Sequence, residues 1–116
     1  MAEKVFIVSN RDADLELIKK TLSSKGFDID TADQFGDIES MIFTGNFAAI
    51  LADYDFAGDR VAGWINLLQE NKSRSCLILY GEKNSPGNIA ELLRKGAYGF
   101  IPRDLLADRV YDTLLD

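Results

Sequence analysis

The sequence predicts one α/β domain: a doubly wound, five-stranded parallel sheet with helices on both faces, in three α/β/α layers. Two observations predict this fold. Apolar runs of strand length alternate five times with stretches of helical period, and no repeat or low-complexity linker interrupts them. The chain has 116 residues, close to the commonest domain size, so we expect residues 1–116 to form one domain with a single core.

The first half of the chain predicts three strands and two helices. In the first helix Leu15, Ile18 and Leu22 share a face, with Asp12 as a candidate N-cap and Gly26 as a candidate stop. The second strand alternates apolar and polar residues, which is typical of an edge strand. These elements are strand 5–8, helix 12–24, strand 27–31, helix 37–43 and strand 48–53.

The second half predicts two strands and three helices. The third helix carries Trp64, Ile65 and Leu68 on its apolar face. Ser85-Pro86 is a cap-plus-first-turn pair that starts the fourth helix, and Gly96 ends it. These elements are helix 62–71, strand 76–80, a helix from Ser85-Pro86 through residue 95, strand 98–101 and helix 104–115.

Composition excludes several classes of function. The net charge of −6 opposes nucleic-acid binding by this domain, since such binding needs clustered Lys and Arg. The chain has no histidine, which removes the commonest general base and the usual zinc ligand. A single cysteine, Cys76, excludes a disulfide framework and favours a packed thiol in a reducing, cytoplasmic setting. Neither a secretory signal nor a run long enough to span a membrane is present.

The candidate site lies where the predicted strands end. In doubly wound sheets ligands bind outside the carboxyl ends of the strands. Asp53 closes the apolar run of the third strand, and a carboxylate there can be a nucleophile, a metal ligand or a helix cap. The other residues at this edge are Ser9, Asn10, Tyr80, Gly81, Pro102 and Arg103.

Over nearly its whole length the chain resembles the receiver domain of bacterial two-component response regulators. The matching stretches are Lys4-Val5-Phe6-Ile7-Val8 with the polar pair after it, Ile50-Leu51-Ala52-Asp53, Leu77-Ile78-Leu79 with Tyr80-Gly81 after it, and Gly96-Ala97-Tyr98-Gly99-Phe100-Ile101. The resemblance implies a flavodoxin-like (βα)5 fold with strand order 2-1-3-4-5. It also implies that Asp53 occupies the position that accepts a phosphoryl group from a histidine kinase.

The residues of the family's metal site are mostly replaced. Ser9 and Asn10 stand where the family has an acid pair that holds Mg²⁺ together with the phosphoacceptor Asp. Magnesium prefers carboxylate oxygens in octahedral geometry, so neutral side chains hold it far less well. The resemblance leaves Asn10, Asp53 and the backbone carbonyl of Asp55 as ligands of a weak site. Asp12 or Asp14 could bend inward toward the site, although we expect each to be a solvated acid at the start of a helix.

Three further positions depart from the family pattern. Tyr80 replaces a small Thr or Ser that bonds the phosphoryl oxygen, and its ring would crowd the pocket or swing out. Arg103 replaces a Lys, and it could hold a phosphoryl group or pair with bare Asp53; we favour the pairing. Phe100 matches the family's switch aromatic, although an ordinary packed aromatic explains it too. The loop before the third helix is longer than usual, with its glycine at Gly63.

Other site types fit poorly. A calcium loop starting at Asp53 would need a bidentate Glu where Trp64 stands. The Asp-x-Asp pair of topoisomerase-primase enzymes needs a glutamate after the first strand, and a flavin site needs a glycine-rich loop there. Ser9-Asn10-Arg11-Asp12 supplies neither. We therefore expect a protein that is not an enzyme and has no required cofactor.

Two functions remain open. One is a pseudoreceiver that binds signalling proteins, either a histidine kinase or a downstream effector, without phosphorylation. The alternative is a functional phosphoacceptor on Asp53. The resemblance places partner binding, and a possible homodimer, on the face made by the fourth helix, fifth strand and fifth helix. The exposed charges expected there are Arg94, Lys95, Arg109 and Asp112.

Overall fold

A computed structural model of the chain describes residues 3–72, 75–82 and 88–115. Five parallel strands form one sheet in the order β2-β1-β3-β4-β5, which confirms the predicted fold class and strand order. The sheet is parallel because each strand is followed by a helical crossover. The strands are β1 Lys4–Val8, β2 Asp28–Ala32, β3 Ala49–Asp53, β4 Cys76–Gly81 and β5 Gly99–Pro102.

Six helices connect and follow the strands in the described ranges. They are α1 Asp12–Ser23, α2 Phe35–Thr44, α3 Tyr54–Ala57, α4 Arg60–Glu70, α5 Asn88–Lys95 and α6 Leu106–Leu115, and a 3-10 turn, Arg103–Leu105, precedes α6. The N-cap of α1 is Arg11, so the prediction that Asp12 caps this helix was wrong. The predicted start of the fourth helix, Ser85-Pro86, lies outside the described residues.

The short helix α3 was not predicted. Residues 54–57 were expected to be a loop, but the Asp53 carboxylate accepts a hydrogen bond from the backbone N–H of Asp55 at 3.0 Å and caps a single helical turn. Gly58, with φ of +55°, then ends the turn. This turn takes up the extra length before α4.

The core has one cluster on each face of the sheet. The first cluster joins the sheet to α2, α3, α4 and α5, and its largest buried side chain is Trp64. The second joins it to α1 and α6 and contains Tyr80, Ile18 and Leu22. Across the residues with assigned structure, the helices are all too short or too polar to cross a membrane.

Gly96 ends α5, as the sequence predicts. Its φ is +137°, a conformation that side chains rarely adopt, and its N–H donates to Leu92 at 3.2 Å. A Cβ here would lie 2.7 Å from Gln69 Nε2. Because Gln69 Nε2 also donates to the Lys95 carbonyl at 2.8 Å, this glycine lets α4 and the end of α5 approach closely.

Candidate functional site

The carboxyl ends of the central strands bring part of the predicted site together. Asp53 and Tyr80 are direct neighbours in the β3–β4 register, and Arg103 follows the last residue of β5. Ser9 is buried and its Oγ accepts the N–H of Arg11 at 3.1 Å, whereas Asn10 is exposed. The pair that replaces the family's acids therefore shows one hydroxyl engaged in a local turn and one amide facing solvent.

The guanidinium of Arg103 contacts four carboxylates. Its Nη2 donates to Asp53 Oδ1 at 2.9 Å and to Asp55 Oδ2 at 3.0 Å. Its Nε donates to Glu82 Oε1 at 3.1 Å, and its Nη1 bonds Asp14 Oδ2. The planar fork of arginine suits this arrangement, because its N–H groups point in several fixed directions within one plane. The single guanidinium thus forms ion pairs with all four acids.

Asp53 ends β3 with its side chain fully buried. Oδ1 accepts hydrogen bonds from Arg103 and from the backbone of Asp55, while Oδ2 is buried and accepts none within the described structure. Burial raises the pKa of Asp53 above its ordinary 3.8, and the hydrogen bond and charge of Arg103 oppose that rise without cancelling it. The ionised form of Asp53 therefore depends on Arg103 for its stability.

Asp14 belongs to the site, and the expectation that it is a solvated acid was wrong. It is 8% exposed and bonds Arg103, whereas Asp12 is exposed as expected. The sequence carried a signal for this position. Asp14 lies four and eight residues before Ile18 and Leu22, so it shares the buried face of α1 with them.

Glu82, directly after β4, is the other acid that the sequence analysis missed. Its side chain is 62% exposed, and it reaches Arg103 across the edge of the sheet. Exposed ion pairs contribute little to stability, so Glu82 adds mainly to the negative charge at the site. The sequence did offer a signal, since Glu82 directly follows Gly81 at the carboxyl end of a predicted strand, where site residues are expected.

Tyr80 neither crowds an open pocket nor swings outward. Its ring is fully buried in the second core cluster, and Arg103 Cζ lies 5.3 Å from the ring centroid. The hydroxyl is buried beside the Ser9 side chain, with which it interacts without a well-aligned hydrogen bond. Burial also raises the pKa of Tyr80 above its ordinary value, so the phenol stays protonated.

Arg103 keeps its charge in this setting. Burial alone would lower the pKa of the guanidinium, but its hydrogen bonds to Asp53 and Asp55, and the charges of Asp53 and Asp14, raise that pKa above its ordinary value. The side chain is 15% exposed. Arg103 is therefore a permanently charged, largely desolvated partner of Asp53.

In the described residues Arg103, rather than a metal site, engages the acids around Asp53. Across the described ranges no three acidic or cysteine side chains lie together in a way that could hold a metal. Asp53 Oδ1 and the Asp55 carboxylate both bond the guanidinium, and Asn10 is neutral and exposed. The guanidinium of Arg103 thus lies beside Asp53, where the family resemblance implies a magnesium ion.

Phe100 is partly buried and packs against the first core cluster from β5. Its backbone pairs with Leu79 of β4. This packing is that of a half-buried aromatic on the edge strand β5.

Solved structures with the same fold are receiver domains. A response regulator from Thermotoga maritima aligns with a TM-score of 0.81 at 17% identity, covering 100% of both chains. The chemotaxis response regulator CheY4 of Vibrio cholerae aligns at 0.82 and 17% identity, covering 99% of this chain and 98% of that one. The beryllofluoride-activated NtrC4 receiver domain dimer aligns at 0.81 and 25% identity, covering 97% and 93%.

The chain therefore has the fold of a response regulator receiver domain, over its whole length. No family model matches the sequence, and no curated protein matches it either. The scaffold is shared with receivers, while the chemistry at the edge of the sheet must be judged from the residues of this chain.

Proposed function

We propose that this chain is an atypical receiver domain of two-component signalling, which acts by binding other proteins and accepts a phosphoryl group on Asp53 poorly or not at all. The observation that carries the proposal is the Arg103–Asp53 pair: a fully buried carboxylate, bonded at 2.9 Å to an arginine that three other acids also hold.

Phosphoryl transfer needs an Asp53 oxygen close to the incoming phosphorus and in line with its leaving group. Oδ1 is engaged by Arg103 and Asp55, and Oδ2 is shielded from solvent. A donor can reach Asp53 only after Arg103 moves away, which breaks four ion pairs. This arrangement supports a site that stays closed.

The charge that develops during phosphoryl transfer also needs stabilisation, usually by a metal ion together with positive and hydroxyl side chains. Ser9 and Asn10 supply no carboxylate for Mg²⁺. Tyr80 supplies a hydroxyl that is held inside the core rather than a small one at the edge. We therefore propose that the domain uses no cofactor and binds Mg²⁺ weakly.

As a receiver-like domain it would work by contact with signalling proteins, such as a histidine kinase or a downstream effector, and not as an enzyme. The expected face is formed by α5, β5 and α6, where Arg94, Lys95, Arg109 and Asp112 are exposed. The NtrC4 receiver is described as a dimer, which supports a homodimer as one use of this face. Alanine substitutions across it should weaken that association in sedimentation experiments.

Intact-mass measurement after incubation with acetyl phosphate and Mg²⁺ tests whether Asp53 accepts a phosphoryl group. We expect no mass gain for this chain under conditions that modify an ordinary receiver. A matched variant carrying Ser9→Asp, Asn10→Asp, Tyr80→Thr and Arg103→Lys should regain one phosphoryl group, and Asp53→Asn in that background should abolish the gain. A one-phosphoryl gain by the unmodified chain, lost in Asp53→Asn, would instead establish the functional phosphoacceptor.

A further inference from the structure

A shallow, open groove of about 470 Å³ runs between α2 and α4, over the first core cluster. Its α2 wall presents Glu39 and Phe43, which lie four residues apart and so share a face of the helix. Its α4 wall presents Gly63, Leu67 and Glu70, which are spaced by one helical turn. None of these residues takes part in the Arg103 cluster.

Phe43 is the most exposed large apolar side chain among the described residues, at 60%. Phe35 lies on the same side of α2, two turns earlier, and is partly buried against the first core cluster. Phe35 stacks on Phe56 with ring centroids 4.9 Å apart, and the Arg60 guanidinium lies 3.9 Å above its ring. The fold thus shields one aromatic of this face and leaves the other available to a partner.

Gly63 belongs to the α4 wall of the groove. It lies inside α4, where glycine is less favourable than alanine, yet a Cβ at this position would meet no atom within 4 Å. Packing within the domain therefore does not require this glycine. Because glycine has no side chain, the surface of α4 is low at this position, and an incoming side chain or backbone can approach the helix closely.

The charged residues of the groove are both acidic. Glu39 and Glu70 flank the apolar surface of Phe43 and Leu67, and no basic residue lines it among the described residues. A groove between two helices accepts the apolar ridge of a third helix, and acids at its rim select a helix with basic flanks. The lining thus defines both the shape and the charge of an occupant.

We propose that this α2–α4 groove docks a basic amphipathic helix of a partner protein. An apolar side chain of that helix packs between Phe43 and Leu67 over Gly63, and its lysines or arginines face Glu39 and Glu70. A second copy of this chain is disfavoured, because the chain carries a net charge of −6 and the groove is itself acidic. The same acids oppose an anionic membrane surface. The proposal does not depend on the chemistry of Asp53.

Trp64, the chain's one tryptophan, is buried beneath the groove and reports changes in packing there, while calorimetry measures binding directly. The full chain is titrated with three synthetic helical peptides of equal length: a basic amphipathic one, its acidic counterpart, and a basic one with the same residues scrambled. Only the basic amphipathic peptide should shift Trp64 fluorescence in a saturable way, and its affinity should fall as salt rises.

Three variants locate the binding. Phe43→Ser should weaken the basic peptide about tenfold, as loss of an anchor residue does. Gly63→Ala should raise the urea midpoint of the protein and also weaken the peptide, a combination that general destabilisation cannot produce. Leu17→Ser, at an exposed leucine of α1 away from both proposed faces, is the matched control and should bind as the unmodified chain does.

Several results would overturn the proposal. They are equal binding of all three peptides, unchanged affinity in Phe43→Ser or Gly63→Ala, and absence of any binding heat with the basic amphipathic peptide. Self-association in sedimentation experiments that Phe43→Ser abolishes would assign the groove to a second copy instead. Binding to phosphatidylglycerol vesicles that depends on Phe43 would assign it to a membrane.

Discussion

Replacing Arg103 by methionine removes the cation of the Asp53 site while keeping a side chain of similar length. Asp53 is fully buried and Arg103 is 15% exposed, so the pair counts as buried. Removing one partner of such a pair typically costs about 3–5 kcal/mol, because the other charge remains buried and uncompensated. Domains of this size have a total stability of about 5–15 kcal/mol, so Arg103→Met should lower the thermal midpoint by roughly 10–20 °C.

The loss should depend on pH in a defined direction. Burial raises the pKa of Asp53 in the folded protein, and without Arg103 the opposing hydrogen bond and charge disappear. An acid whose pKa is higher in the folded state destabilises the fold as pH rises through that pKa, and it does so less at acid pH. The stability difference between the unmodified chain and Arg103→Met should therefore shrink as pH falls from 7 toward 4.

Urea unfolding followed by Trp64 fluorescence measures these differences. Arg109→Met, at an exposed arginine of α6, is the matched control and should change stability by no more than about 0.5 kcal/mol. Adding Asp53→Asn to Arg103→Met should recover much of the loss, since the amide needs no counter-charge. If Arg103→Met is as stable as Arg109→Met at pH 7, Arg103 does not hold the buried carboxylate as described.

The remaining predictions concern single positions. Asp53→Asn alone should raise the urea midpoint at pH 7, because it removes a carboxylate whose raised pKa makes ionisation costly. This gain should vanish as pH falls below the ordinary aspartate pKa of 3.8. An unchanged midpoint at pH 7 would contradict the prediction. Tyr80→Phe should change stability by no more than about 1 kcal/mol, since the buried hydroxyl interacts only with the Ser9 side chain and is poorly aligned for a hydrogen bond; a larger loss of stability would reveal a strong hydrogen bond there. Gly96→Ala should destabilise by about 1–3 kcal/mol, because of the φ of +137° and the close approach of Gln69, whereas Gly63→Ala, at an open helical position, should not destabilise.

The sequence predicted the sheet well because its signals are local. Four strands are apolar runs, the edge strand β2 alternates apolar and polar residues, each helix has a 3.6-residue period, and Gly26 and Gly96 mark helix ends with positive φ. The boundaries shifted by a few residues, as they do where helix ends depend on hydrogen bonds of particular side chains. The turn α3 was missed for that reason, since it depends on the Asp53 cap.

The site was only partly predictable, because its contacts join distant parts of the chain. The pairing of Arg103 with Asp53 could be considered from the resemblance, since both positions face one edge of the sheet. Asp14 is 89 residues from Arg103 in sequence, and only its place on the Ile18–Leu22 face of α1 hinted that it is buried. Glu82 and Asp55 complete the cluster through side-chain reach, which residue type and spacing do not specify.

The most direct test of the account is a crystal structure of the chain grown with Mg²⁺ and beryllium fluoride, which forms a phosphoryl mimic on reactive receiver aspartates. We predict that Arg103 still bonds Asp53, with neither the fluoride adduct nor a metal ion beside it. An adduct on Asp53 next to an octahedral cation, with Arg103 displaced, would contradict the claim that this arginine takes the place of the metal.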